Sequence, residues 1–80
     1  MPSLDKTVIN TLYRVVDISL PEDISKRLSE LGLITGTDIT RTLTAPCGDP
    51  NAYLIRGGQI ALRNEYAKKI AVEMVLENNK

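Results

Sequence analysis

Apolar and polar residues alternate along several short stretches of the chain, a period of two that is typical of strands with one buried face. In the first stretch, Leu12, Val16 and Ile18 lie on one predicted face, and Tyr13 and Val15 lie on the other. The same alternation recurs in four later stretches. The predicted strands cover 12–18, 38–44, 53–56, 59–63 and 70–76.

A helical period predicts one longer helix between the first two strands. Ile24, Leu28 and Leu31 recur at i, i+4 and i+7 and form one apolar stripe, which is expected to face a core. Gly32 follows directly, and a glycine there is typical of a left-handed residue that ends a helix. The helix is therefore expected to end at this point.

Two helix starts are predicted from capping residues. Ser19 and Glu22 have the spacing of a capping box, in which a hydroxyl and a carboxylate satisfy the free N–H groups of the first turn. Asn64 is a candidate N-cap for a second, shorter helix over 65–69. Both helices are short, so strands dominate the predicted structure.

The turns between the strands favour a small closed structure. Gly57 and Gly58 separate two strands and predict a tight hairpin turn, while the stretch 46–50 carries two prolines and a glycine and predicts a loop. About five short strands with two short helices make a mainly β fold, which we expect to close into a small barrel because closure removes exposed edges. The helix residues Ile24, Leu28 and Leu31 are expected to pack on Leu43, Leu54, Ile60 and Val72.

Length and composition limit the possible functions. Eighty residues are expected to form one domain, 1–80, with flexible ends at 1–7 and 77–80. The absence of histidine excludes Ser-His and Cys-His catalysis and zinc sites with histidine, and a single cysteine suits a reducing cytoplasm. A net charge of zero argues against nucleic acid as a partner, and no apolar run is long enough to cross a membrane.

The loop over 46–50 holds the most distinctive residues. Cys47 is a candidate nucleophile and Asp49 a candidate ligand for a hard metal ion. No histidine is present to activate the thiol, and a single loop carboxylate is too few for Ca²⁺ or Mg²⁺. The favoured interpretation is structural: Asp49 bonds local backbone N–H groups and the prolines stiffen the loop. No catalysis is expected.

Three arginines lie on or beside predicted strands. Arg41, Arg56 and Arg63 form either a patch for an acidic partner or ordinary surface cations whose stems cover the barrel. The second interpretation is favoured on general grounds.

Four groups of residues form a further pattern: Arg27-Leu28-x-x-Leu31-Gly32-Leu33-x-x-Gly36-Thr37, Ala45-Pro46-x-Gly48-Asp49-Pro50, Arg56-Gly57, and Ala61-Leu62-Arg63 with Ala67, Ile70 and Val72. In order and spacing this pattern resembles the ferrous iron transport protein A (FeoA) family. Cys47, Asn51 and Arg41 depart from the family, where aliphatic residues are usual. The departures concern the loop and the barrel surface rather than the fold.

The resemblance implies an SH3-like β-barrel, in agreement with the predicted strands. It implies a non-enzymatic, cytoplasmic accessory protein of bacterial ferrous iron uptake that contacts the ferrous iron permease, ferrous iron transport protein B, at its G-protein domain. An accessory domain of an iron-dependent transcriptional regulator is one alternative, although eighty residues leave no room for a DNA-reading segment. A small SH3-like RNA-binding protein is another, disfavoured by the zero net charge.

These expectations extend to ligands and to a partner surface. No cofactor is expected to bind tightly, and Fe(II) or another divalent ion would bind weakly to a chain without histidine and with one thiol. Membrane insertion is not expected, and self-association stays open. The partner surface is expected at the loop residues Pro46, Cys47 and Asp49, bordered by Arg56 and Arg63. The alternative is that this loop is only a stiff corner of the barrel.

Overall fold

Five antiparallel strands form one sheet in the computed structural model, which describes residues 2–56 and 58–76. The strands pair in the order β4-β3-β2-β1-β5. The strands are β1 (Leu12–Ile18), β2 (Asp38–Thr44), β3 (Asn51–Ile55), β4 (Gly58–Leu62) and β5 (Ile70–Met74). The helices are α1 (Glu22–Glu30) and α2 (Asn64–Ala67), and a 3-10 turn covers Leu4–Lys6.

The mainly β fold class with two short helices is confirmed. The ladder does not close by a direct pairing of β4 with β5 within the described ranges, since these two strands are its ends. The four-residue α2 connects them instead, and Ala67 is fully buried in the core that the sheet encloses. The chain reverses through a helix here, so the barrel is completed by packing rather than by hydrogen bonds.

The core lies on one face of the sheet and contains the inward residues of all five strands. The buried apolar residues are Leu4, Tyr13, Val15, Leu28, Leu33, Ile39, Tyr53, Ile55, Leu62, Ala67, Ile70 and Val72. Val72 and Leu28 were expected there, and Ile24 and Ile60 pack against the core from partly buried positions.

The expectation that Leu43 and Leu54 belong to the core is wrong. They are 62% and 48% exposed. A bulge between Arg41 and Leu43 inserts one extra residue into β2, so Arg41 pairs with the inward Tyr53 whereas Leu43 pairs with Ala52 on the outer face. Both faces of β3 carry apolar side chains, so alternation alone did not distinguish the inner face from the outer one.

Leu31 is a second correction to the expected core, because its side chain is 55% exposed. The helix ends at Glu30, so Leu31 no longer follows the helical period. Gly32 adopts a left-handed φ of 99°, as predicted, and the N–H of Leu33 then donates to the carbonyl of Leu28 at 2.9 Å. This reversal places Leu33, rather than Leu31, in the core.

The predicted capping residues do not cap the helices. Pro21 occupies the N-cap position of α1, and the Ser19 hydroxyl donates to the carboxylate of Asp17 at 3.1 Å. Arg63 occupies the N-cap position of α2 without a side-chain bond, and Asn64 is the first residue of that helix. The proline sets the extended backbone before α1, and this displaces the cap by two residues from Ser19.

The β3–β4 hairpin turns one residue earlier than predicted. Ile55 pairs with Gly58, so Gly58 is the first residue of β4 and not part of the turn. The predicted turn also includes Gly57, which lies outside the described residues.

The N-terminal segment is packed, contrary to the expectation of a flexible end over 1–7. Leu4 is 1% exposed in the core, and the guanidinium of Arg41 donates to the carbonyl of Thr7. At the start of the segment, the N–H of Val72 donates to the carbonyl of Pro2 at 3.0 Å. An amphipathic turn with one buried leucine is too short to be recognised by periodicity. The expected flexible end at 77–80 lies outside the described residues.

Candidate functional site

The loop between β2 and β3 has an ordered turn. The N–H of Gly48 donates to the carbonyl of Ala45 at 2.7 Å, and Gly48 has a φ of 90°, which a residue with a side chain rarely adopts. The thiol of Cys47 donates to the carbonyl of Asp49 at 3.0 Å. Pro46 and Cys47 are exposed at the tip, whereas Asp49 is half-buried.

Two asparagines hold this loop against α2. The carboxylate of Asp49 accepts a hydrogen bond from the N–H of Asn64 at 2.9 Å, and the Asn64 amide donates to the carbonyl of Gly48 at 2.9 Å. The buried Asn51 amide in turn donates to the Asn64 side-chain oxygen at 3.1 Å. We call these three residues, Asp49, Asn51 and Asn64, the loop clamp.

The loop clamp also satisfies the first turn of α2. A helix leaves its first N–H groups without partners, and a carboxylate is a favourable acceptor for one of them. Asp49 thus accepts a hydrogen bond from a backbone N–H, as predicted. The donor, however, is Asn64 in α2 and not a residue of the same loop. The sequence analysis missed the roles of Asn51 and Asn64, because neither asparagine lies in a pattern that indicates a distant partner.

The structure brings most of the predicted site residues to one end of the barrel. Pro46, Cys47 and Asp49 are joined there by the exposed Arg63, which directly precedes Asn64 of the clamp. Arg56 lies at the opposite end of β3. Arg56 lies six positions after Pro50 along extended chain, about 20 Å at the usual rise per residue. Arg56 therefore does not border the loop.

A second polar group lies inside the barrel, next to the loop clamp. Three buried polar atoms, Arg41 Nε, Asn51 Oδ1 and the Tyr53 hydroxyl oxygen, make no hydrogen bond within residues 2–56 and 58–76. Burial raises the pKa of Tyr53 above its ordinary value of 10.0, while the Asn51 side chain and the positive charge of Arg41 act in the opposite direction. The tyrosine is therefore neutral near neutral pH.

The variant Tyr53→Phe is expected to change the free energy of unfolding by less than about 1 kcal/mol near neutral pH. The unfolded chain releases the phenolic proton at a lower pH than the folded chain, so the stability of the original protein should fall above about pH 10. This group contributes at most about 1.4 kcal/mol per pH unit to that fall. Urea unfolding across this alkaline range should show a shallower fall in Tyr53→Phe, and identical slopes would contradict the prediction.

In the part of the chain that the structure describes, no three of the Cys, Asp and Glu side chains are grouped so that they could hold a metal ion. No helix of that part is long and apolar enough to cross a bilayer.

Comparison with known proteins identifies the family. The model of the FeoA domain matches residues 3–74, nearly the whole chain. The chain belongs to the FeoA family. The family resemblance carried by the sequence motifs is therefore confirmed.

Known FeoA proteins share sequence and fold with this chain. A Porphyromonas gingivalis protein, an Fe(2+) transport protein A/Fe(2+) transporter FeoB fusion protein, is 42% identical over 53 residues, which are 66% of this chain and 6% of that protein. The NMR structure of the FeoA-like protein from Clostridium acetobutylicum superposes on this chain with a TM-score of 0.82, and the two sequences are 32% identical. The match covers 99% of this chain and 92% of that one. Stenotrophomonas maltophilia FeoA, crystallised with zinc and described as an SH3 domain protein, is 25% identical, with a TM-score of 0.76 over 91% of each chain. The SH3-like fold class is thus confirmed.

Proposed function

We propose that this FeoA chain is a non-enzymatic, cytoplasmic accessory protein of ferrous iron uptake that binds the ferrous iron permease at its G-protein domain. The observation that carries the proposal is the Porphyromonas gingivalis relative, in which a FeoA segment and the FeoB transporter are parts of one polypeptide. Segments fused in one organism are commonly separate, interacting proteins in another. The permease part of that relative lies outside the segment that this chain matches.

The geometry of the loop supports a role as a binding module. Pro46 and Cys47 are exposed, while the loop clamp holds the residues behind them through hydrogen bonds to α2. A loop that is already ordered loses less conformational entropy when a partner binds it. We place the permease contact at Pro46, Cys47 and the adjacent Arg63, with Asp49 as a positioning residue.

A tightly bound metal ion is no part of the proposal. The chain has no histidine and one thiol, and imidazole and thiolate are the ligands that hold transition metals most firmly. We therefore propose that Fe(II) or another divalent ion binds weakly, and that iron is the cargo of the permease rather than a resident of this chain.

The test is capture of the detergent-solubilised permease from the same organism by the purified chain, with GDP and with a non-hydrolysable GTP analogue. The variant Cys47→Glu introduces a charge at the loop tip and leaves the loop clamp intact, and it should weaken permease binding about tenfold or more. Ser29→Glu is the matched control, because Ser29 is exposed on α1. Circular dichroism verifies the fold of both variants.

Two results would contradict the proposal at different levels. No capture of the permease by the original chain under either nucleotide condition refutes the function. Full capture by Cys47→Glu together with loss in Ser29→Glu refutes the loop as the contact and assigns the contact to α1.

A further inference from the structure

The two edge strands of the sheet are treated differently. Beside β5, the N-terminal segment forms a bridge between Ser3 and Ala71, and the carbonyl of Pro2 accepts from Val72. Beside β4, residues 58–62 make no backbone hydrogen bond other than those to β3 within the described chain. One edge is therefore covered and the other is open.

The hairpin register determines which groups the open edge presents. Ile55 and Gly58 close a two-residue turn, and the closing pair of such a turn is hydrogen-bonded. Hydrogen-bonded and non-bonded pairs alternate along an antiparallel ladder, so the N–H and C=O groups of Gln59 and Ala61 point away from β3. Both residues are exposed. The edge thus offers two donors and two acceptors to a further strand.

Charge distinguishes this edge from a protected one. Proteins commonly blunt an exposed edge strand with charged residues or proline. β4 has neither over Gly58–Leu62, whereas β5 carries Glu73. A bare, uncharged edge strand is a template for pairing with another extended segment.

An arginine lies just beyond each end of β4. Arg56 lies in the hairpin turn that precedes β4 and Arg63 follows β4, and both are exposed. Neither arginine makes an ion pair within the described ranges, whereas Arg14 pairs with Asp38 at 3.1 Å. Continuing the ladder would place Arg56 opposite Asp38, but that carboxylate is already bonded to Arg14. Both arginines are therefore available to carboxylates of a partner.

We propose that the β4 edge binds an extended segment of a protein partner as a sixth strand. The segment has an uncharged, β-branched middle, which pairs with Gln59 and Ala61, and a carboxylate towards each end, which meets Arg56 or Arg63. Strand addition of this kind derives affinity from main-chain hydrogen bonds and specificity from the side chains. The inference rests on the proposed function only for the identity of the protein that carries the segment.

A second copy of this chain fits the edge less well than an acidic segment. Antiparallel self-pairing centred on Ile60 would satisfy the groups of Gln59 and Ala61, but it would bring Arg63 beside Arg56 of the other copy. Like charges on neighbouring strands are destabilising. The charge pattern therefore selects a partner with carboxylates over self-association.

The probe is the capped peptide Asp-Thr-Val-Thr-Val-Thr-Asp, titrated into the isotopically labelled full chain and followed by two-dimensional NMR. The matched peptide has lysine at both ends. We expect amide shifts concentrated at 58–63, and binding of the lysine peptide about fivefold weaker or more. Shifts concentrated elsewhere, or equal binding of the two peptides, would overturn the proposal.

Two variants test the two components of recognition. Ala61→Pro removes an N–H group that points away from β3, so the ladder keeps its bonds, and peptide binding should be lost. Arg63→Glu should weaken binding of the aspartate peptide about fivefold and strengthen binding of the lysine peptide. Simple unfolding would not produce this reversal of preference. Unchanged aspartate-peptide binding in folded Ala61→Pro, or no reversal in Arg63→Glu, would overturn the proposal.

Permease capture separates this inference from the proposed function. Loss of both peptide and permease binding in Ala61→Pro supports the edge as the site for a permease segment. Full permease capture by an Ala61→Pro variant that no longer binds the peptide overturns that assignment while the proposed function stands. Permease capture that fails already in the original chain refutes the proposed function, and the peptide titration then decides the edge by itself.

Discussion

Replacing Leu33 with alanine is expected to lower the free energy of unfolding by about 2–5 kcal/mol. Leu33 is 0% exposed, and the chain reversal at Gly32 directs it into the core beside Leu28. Removing its branched end leaves a cavity that the close-packed surroundings fill only in part. Urea unfolding followed by circular dichroism measures the difference.

Leu31→Ala is the matched control, since it removes the same atoms from a side chain that is 55% exposed. Its effect is expected to stay at or below about 0.5 kcal/mol, as for an ordinary surface change. Equal losses in the two variants would show that Leu31 packs in the core and that Gly32 does not redirect the chain as described.

Leu4→Ala is expected to destabilise the protein by a similar amount, about 2–5 kcal/mol. Leu4 is 1% exposed and belongs to the same core cluster as the strand residues, although it lies only a few residues from the N-terminus. Thermal or urea unfolding of the variant measures the loss. In a domain of this size, such a change removes a large fraction of the total stability.

The control for Leu4 is Val8→Ala, because Val8 is 57% exposed in the segment between the 3-10 turn and β1. It should unfold nearly as the original protein does. A Leu4→Ala variant as stable as Val8→Ala would mean that the N-terminal segment contributes little to the core and that the β5 edge is open as well.

The position of the loop was predictable, whereas its attachment was not. Two prolines and a glycine exclude a regular strand at Pro46–Pro50, and the loop is found there. The bonds from Asn64 to Asp49 and Gly48 join residues about fifteen positions apart in sequence. No local sequence pattern indicates these distant partners, since Asn51 and Asn64 are each equally compatible with a turn or a helix cap.

The role expected for Arg56 shows the same limit. Its distance along the chain from the loop is short, but β3 is extended, so the strand carries it to the opposite end of the barrel. The hairpin then brings Arg63 back towards the loop. Proximity in sequence and proximity in space differ here because an antiparallel pair returns the chain to its starting end.

The sequence by itself determined the elements that depend on near neighbours. The predicted strand bounds 12–18 and 38–44 match those of β1 and β2, and Gly32 ends the first helix as its left-handed φ requires. The missing histidine and the single cysteine also limit the possible chemistry through composition alone. These properties follow from backbone sterics, period and composition, which need no knowledge of distant contacts.

Only the tertiary structure decided which faces and which distant residues meet. The bulge between Arg41 and Leu43 turns Leu43 outward, and the reversal after Gly32 exchanges Leu31 for Leu33 in the core. Pairing of β1 with β5 and docking of Leu4 then leave β4 as the open edge. Strand register, side-chain burial and edge exposure depend on contacts between segments far apart in the chain. The free energy of these contacts is shared by residues that are not neighbours in sequence, so no short stretch of sequence reveals them.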